Sequence, residues 1–194
     1  VLMGCAWNSS GPVMLFDTGL YHYPLAEWLQ QFGTVPGQAL LHHRFGFSSP
    51  WIAASATLDH GWMDGRSTPV FSGLLMAIAA YHFVGAFSRW AAGQARRSDS
   101  YFLAAYTVCL TFAAISQRFE VSMSPNLPVA LAIVMLCAAR PRTAWLLAAA
   151  ASGIKLSALP VAALASVRLR TRDALSLLLG LSLLFPIIAA NYVS

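Results

Sequence analysis

The sequence predicts an all-α fold: a polytopic transmembrane helix bundle with an interfacial amphipathic helix in its first external loop. Composition carries the first part of this expectation. Of 194 residues, 58% are hydrophobic and 10% charged, with a mean hydropathy of +0.62, which leaves too few polar groups to cover a soluble globule of this size. The placement of charge carries the second part. Twelve Lys and Arg stand against seven Asp and Glu, and the arginines gather at the ends of apolar runs. Such placement orients membrane helices by the positive-inside tendency, and a nucleic-acid partner is not expected. With no internal repeat, heptad or low-complexity linker, the chain reads as one membrane domain whose first partner is the lipid bilayer.

Residues 1–7, VLMGCAW, are apolar but shorter than the ~20 residues a span needs, and read as the tail of a preceding membrane helix. Residues 8–68 then form an external loop. Asp17, Thr18 and Gly19 suggest a turn. After it Leu20, Tyr21, Pro24, Leu25, Trp28, Leu29 and Phe32 recur at helical spacing, with His22, Glu27, Gln30 and Gln31 between them and Gly33 closing the run. This predicts an amphipathic helix over 20–32.

Beyond it, Pro36, Gly37, Gly46, Pro50, Gly61 and Gly65 prevent any long helix. Ser49 is placed to cap a short one from Pro50 to about Leu58. His42, His43 and Arg44 among Phe45, Phe47 and Trp51 suit a membrane-water interface. A sharper alternative has His43 and Arg44 facing an anionic phosphate group, since the guanidinium offers forked donors to phosphate oxygens. Asp59, His60 and Asp64 can be drawn as hard-metal ligands, but their spacing matches no established pattern and suits a solvated turn. No DxD or HExxH occurs, so no metal cofactor is expected.

The first full crossing is predicted over 69–92. Its polar interior residue, His82, either ligates a pigment or haem or is hydrogen-bonded within the bundle. Arg89, Arg96 and Arg97 follow, which assigns that end to the cytoplasm and residues 8–68 to the periplasmic side. Crossings over 101–115 and 127–139 come next, joined by an external loop with Arg118 and Glu120. Those two either pair with each other at the surface or bind a phosphate or hydroxyl opposite Asp17.

Segment 143–167 has arginines at both ends, so a single crossing would leave one group external. A re-entrant pair, broken at Ser152 and Gly153 with Pro160 opening the second half, resolves this; a spanning segment is the other option. Lys155, the only lysine, sits at the break. A buried intramembrane ammonium costs several kcal/mol unless paired, which marks a functional site, unless the side chain snorkels to an interface. A last crossing is expected over 174–190, capped by Asp173 and kinked at Pro186. Cys5, Cys109 and Cys137 show no ligand spacing and read as packing residues.

An acidic residue just past a first membrane helix, then a tyrosine, then an amphipathic helix ending in glycine, resembles the first external loop of GT-C integral membrane glycosyltransferases. The string DTGLYHYPLAEWLQQFGTVPGQALLHHRFGFSSPW, with IKLSALP later, is similar to a bacterial subfamily of polytopic GT-C-like proteins. The resemblance implies transfer of a sugar, with inversion, from a polyprenyl-phosphate donor to an acceptor hydroxyl at the external face of the bacterial inner membrane. It implies Asp17 as base, Arg44, Lys155 or Arg118 on the phosphate, and Tyr21, His22 and His43 around the sugar. Two departures stand out: the family's enzymes are usually much longer, and the Asp-Thr-Gly of this chain lacks the second acid of the Asp-Glu pair.

The competing expectation is a non-catalytic accessory subunit that keeps a GT-C-like scaffold within a larger membrane complex, pigment-containing if His82 is a ligand. Its Ala, Gly and Ser content suits close packing against other subunits. A transporter with Lys155 in its path is a third, weakened by the lack of repeated halves.

Overall fold

The computed structural model describes residues 2–13, 15–46, 49–115, 124–167, 169, 173, 175, 177–182 and 184. Among these residues the chain is all-α and contains no strand. Its helices in chain order are α1 (Leu2–Ser9), α2 (Tyr23–Phe32), α3 (Gln38–Leu41), α4 (Pro50–Leu58), α5 (Ser67–Ala91), α6 (Arg97–Ile115), α7 (Asn126–Leu136), α8 (Pro141–Ile154) and α9 (Leu159–Ser166). Residues 177–182 are also helical. The expected Arg118 and Glu120, and most of the crossing over 174–190, lie outside the described residues.

Local chemistry accounts for several of the helix ends. Gly33, at a φ of 67° and ψ of −155°, closes α2 by donating its N–H to Leu29 O at 3.0 Å, at a positive φ that glycine adopts without a Cβ penalty. The Ser49 hydroxyl accepts from Trp51 N at 3.3 Å and starts α4. Asp59 caps the next helix: its Oδ1 accepts from Arg66 N and Ser67 N, both at 3.2 Å, satisfying donors that the first turn of α5 leaves unpaired.

At 25 residues, α5 is about 37 Å long at 1.5 Å per residue. Within it, Val70–Ala91 has a mean hydropathy of 1.8, and it is the one helix among the described residues long and apolar enough to cross a membrane. α6 begins at Arg97, earlier than the expected 101, because Asp99 organises the turn before it. The Asp99 carboxylate accepts from Arg89 Nε at 2.9 Å, Arg89 Nη2 at 2.7 Å and Arg96 N at 3.0 Å. This two-pronged ion pair ties the end of α5 to the start of α6. At the other arginine-rich turn, Arg142 Nε pairs with buried Asp173 at 2.5 Å.

α7 is shorter than the expected 127–139 segment. It ends at Leu136, giving about 16 Å of helix against a hydrocarbon layer of ~30 Å. The chain leaves α7 through a tightened turn in which Cys137, Ala138 and Ala139 bond carbonyls three residues back, and Arg140, restricted by the following Pro141, is extended at φ −68°, ψ 157°. The 143–167 segment folds back on itself. Trp145, Ala148 and Ala149 of α8 share a buried cluster with Ala162 and Ala165 of α9, while Ala151 meets Ala158 nearer the break. Alanine on both partners lets the two backbones approach closely.

A second cluster unites α5, α6 and α7 around Phe102, Tyr106 and Leu131, with His82 packed edge-on to Phe102 at 5.1 Å. Cys109 and Cys137, both free, pack against the same cluster. A third joins α2 to α4 through Leu25, Ala26, Ile52 and Ala56.

Candidate functional site

The sequence expectation of a turn at Asp17 gives way to continuous helix. Phe16 and Asp17 are already helical, and Thr18–His22 forms one widened π-type turn that runs directly into α2. Tyr23 N bonds Thr18 O, five residues back, and Pro24, which has no N–H, leaves the Leu20 carbonyl without a bond from the position four residues on. The same turn sets the site. The Tyr21 hydroxyl, one turn on, donates to Asp17 Oδ2 at 3.1 Å, and His22 follows at the next position.

These residues form one wall of a cavity of about 500 Å³, a size suited to a small ligand or headgroup. The α8–α9 break, Gly153 to Ser157, lines it from the distant end of the sequence, with Arg44, Ser49, Ile52 and Ser124 to Asn126 completing the lining. Of the residues expected to act together, Asp17, Tyr21, His22, Arg44 and Lys155 all line this cavity. His43 does not line it; its ring stacks on His42 at 4.8 Å.

Lys155 leaves the helix in extended conformation, at φ −149°, ψ 115°. Its ammonium donates to Asn126 Oδ1, the first residue of α7, at 2.6 Å. Beside it, the Ser49 hydroxyl donates to Ile154 O at 2.9 Å, satisfying a carbonyl that the end of α8 exposes. The hairpin tip is thus held from two sides. Both contacts escaped sequence reasoning, although a lone lysine in an apolar segment and an Asn after Ser-Pro were the available signals.

Electrostatically the cavity has two characters. Arg44 lies over the Tyr21 ring, 5.3 Å from its centroid, a cation–π placement, and Lys155 adds a second cation. Against them stands Asp17, the one carboxylate among the described lining residues. Burial, then the hydrogen bond to Asp17, pushes the Tyr21 phenol above its usual range. His22 is 4% exposed and its Nδ1 has no hydrogen-bond partner. Desolvation lowers its pKa to about 4, against an opposing pull from Asp17, so at neutral pH the imidazole is uncharged.

A stability dependence follows. In the unfolded chain this histidine gains a proton near 6.5, in the folded chain only near 4, so its contribution is complete above 6.5 and is lost as pH falls between those values. The full shift corresponds to about 3 kcal/mol, reduced to about 1–2 kcal/mol by solvent reaching an open cavity. Thermal unfolding of the purified chain should drop between pH 7 and pH 4.5 more steeply than that of the His22→Phe variant. Parallel curves would remove His22 from the account.

Among the described residues no group of three or more His, Cys, Asp or Glu gathers. Asp59, one of the three residues first drawn as metal ligands, instead caps α5. The fold and the cavity together define a protein, all-helical among the described residues, with a largely apolar pocket that carries two cations at a helix break. The chain belongs to the family described as Domain of unknown function (DUF8201), whose model matches residues 1–194. No curated protein and no solved structure matches it.

Proposed function

We propose that the chain is a polytopic protein of the bacterial inner membrane whose cavity transfers a sugar from a polyprenyl-phosphate donor to an acceptor hydroxyl on the periplasmic side. The observation that carries this reading is the meeting of Asp17, Tyr21, Arg44 and Lys155 in one cavity from three separate parts of the chain. In the reaction the acceptor oxygen attacks the sugar's anomeric carbon from the face opposite the phosphate. The bond from that carbon to the phosphate oxygen breaks with its electron pair passing to phosphate, and the hydroxyl proton passes to Asp17. Lys155 and Arg44 stabilise the phosphate charge as it develops. Tyr21 holds the Asp17 carboxylate, and His22, uncharged, offers a hydrogen bond to a sugar hydroxyl.

Membrane residence is supported by α5 and by the apolar residues that helix leaves exposed, Leu74, Ile78 and Tyr81 among them. The hydroxyls of Thr107 and Thr111 on α6 turn back to carbonyls one turn earlier, at 2.8 and 2.9 Å, which satisfies them without water. The α8–α9 hairpin then reads as re-entrant, with irregular backbone at Lys155 lining a wet cavity. The arginines at the α5–α6 and α7–α8 turns set those ends on the cytoplasmic side.

Native mass spectrometry of the purified chain in mild detergent tests the reading. Retained polyprenyl phosphate, lost on Lys155→Met substitution, is the expected result. A chain that neither retains this lipid when supplied nor releases it from glycosylated donors would overturn the proposal. A second reading is an accessory subunit of a larger membrane complex, favoured by the Lys155–Asn126 hydrogen bond, which gives the cation a structural partner. Stoichiometric co-purification with other membrane subunits, without lipid, would select it.

A further inference from the structure

The helix α3 and the residues after it present a combination that the cavity reading does not use. Leu40 is 91% exposed and Leu41 65% exposed, adjacent apolar side chains on a helix of four residues. Gly37, at φ 85°, starts that helix, and His42, with an extended backbone, ends it. Immediately afterwards come His42, His43 and Arg44, the last two exposed. No Asp or Glu occurs anywhere in residues 28–58. The segment therefore offers an apolar tip beside a cation, with no carboxylate of its own stretch to repel an anionic surface.

We infer that α3 is a membrane hook: Leu40 and Leu41 enter the leaflet beside the cavity mouth while His43 and Arg44 meet anionic lipid headgroups. A specific protein interface buries about 1,200–2,000 Å², and a four-residue helix presenting two leucines falls far short of that. A bilayer needs no such area, since each apolar side chain gains separately on leaving water and a neighbouring cation adds attraction to anionic lipid. Arg44 joins the hook to the site, because it also lies over Tyr21 and lines the cavity. Seating the hook would hold the cavity mouth at headgroup depth. The inference goes beyond the transfer reading and stands whether or not the cavity moves a sugar.

The test places an environment-sensitive fluorophore on the full chain at Leu40→Cys, and for comparison at Glu27→Cys, an exposed position on the polar side of α2. Each chain is reconstituted at one copy per nanodisc of mixed phosphatidylcholine and phosphatidylglycerol. The unsubstituted chain, labelled in parallel, supplies the background from Cys5, Cys109 and Cys137. The probe at position 40 should emit to the blue of the probe at 27 and be quenched about two- to threefold by lipids with shallow spin labels, as expected for apolar burial just below the headgroups. Adding Leu41→Asp should return it to a water-like spectrum with the helical signal unchanged. A probe at 40 that is equally open to aqueous iodide and insensitive to spin-labelled lipid overturns the hook. A blue shift seen only with two or more copies per disc also overturns it and assigns the leucines to a second copy of the chain.

Discussion

Replacing Asp17 with Asn is expected to lower sugar transfer by about 10²–10⁴-fold, the usual contribution of a general base, while the chain continues to retain polyprenyl phosphate. The asparagine keeps the volume and one carbonyl oxygen, so the Tyr21 hydroxyl, which donates to Asp17 Oδ2 at 3.1 Å, still has an acceptor and the widened turn keeps its shape. Only basicity is lost. The cations lie on other elements: Lys155 at the α8–α9 break and Arg44 after α3. Binding and turnover should therefore separate, and that separation is what a merely structural role for Asp17 would not produce. Transfer rates from reconstituted vesicles, read beside lipid retention by native mass spectrometry, decide it. A variant that transfers at the parent rate would end the assignment of Asp17 as base, whatever lipid it holds.

Gly180→Ala should cost about 1–3 kcal/mol, the range for forcing one more methyl into a packed interior. A β-carbon at Gly180 would overlap the Trp145 indole at Nε1, Cε2 and Cζ2. The indole has little room to yield. Trp145 is 3% exposed and sits among Ala148, Ala149 and Ala162, with Leu184 completing the cluster. Alanine is normally the better helix former, so propensity alone predicts the opposite sign, and the direction of the change discriminates between the two effects. Thermal unfolding in detergent, with tryptophan fluorescence as a second readout, measures it. An unchanged or raised midpoint would mean that the glycine is not there for close approach.

The helix starts were legible where a single side chain makes the end. Ser49 before Pro50 announced α4, and Gly33 announced the close of α2, because capping needs only neighbours in sequence. The break at Lys155 was legible for a related reason: Gly153, a lone lysine and Pro160 interrupt an otherwise apolar run. The widened turn at Thr18–His22 was not legible. It rests on the bond from Tyr23 N to Thr18 O, five residues back, which no residue pattern announces, and the Asp-Thr-Gly string suggested an ordinary turn. The length of α7 was misjudged because hydropathy continues past Leu136 while the backbone tightens there into a turn.

By itself the sequence determined that this chain is helical and strongly apolar, where most of its helices lie, and which few polar residues stand out against that background. Those are properties of local propensity and composition, carried by residues within a turn or two of one another. Only the tertiary structure decided that Asp17, Arg44 and Lys155 share a cavity, that Asn126 takes the Lys155 ammonium, and that Ser49 ties α4 to the end of α8. Such contacts join residues more than a hundred positions apart in the case of Ser49 and Ile154. They exist because alanine-lined helices α8 and α9 fold back on each other and present their broken tip to the helical turn that holds Asp17, a consequence of packing that no stretch of sequence contains.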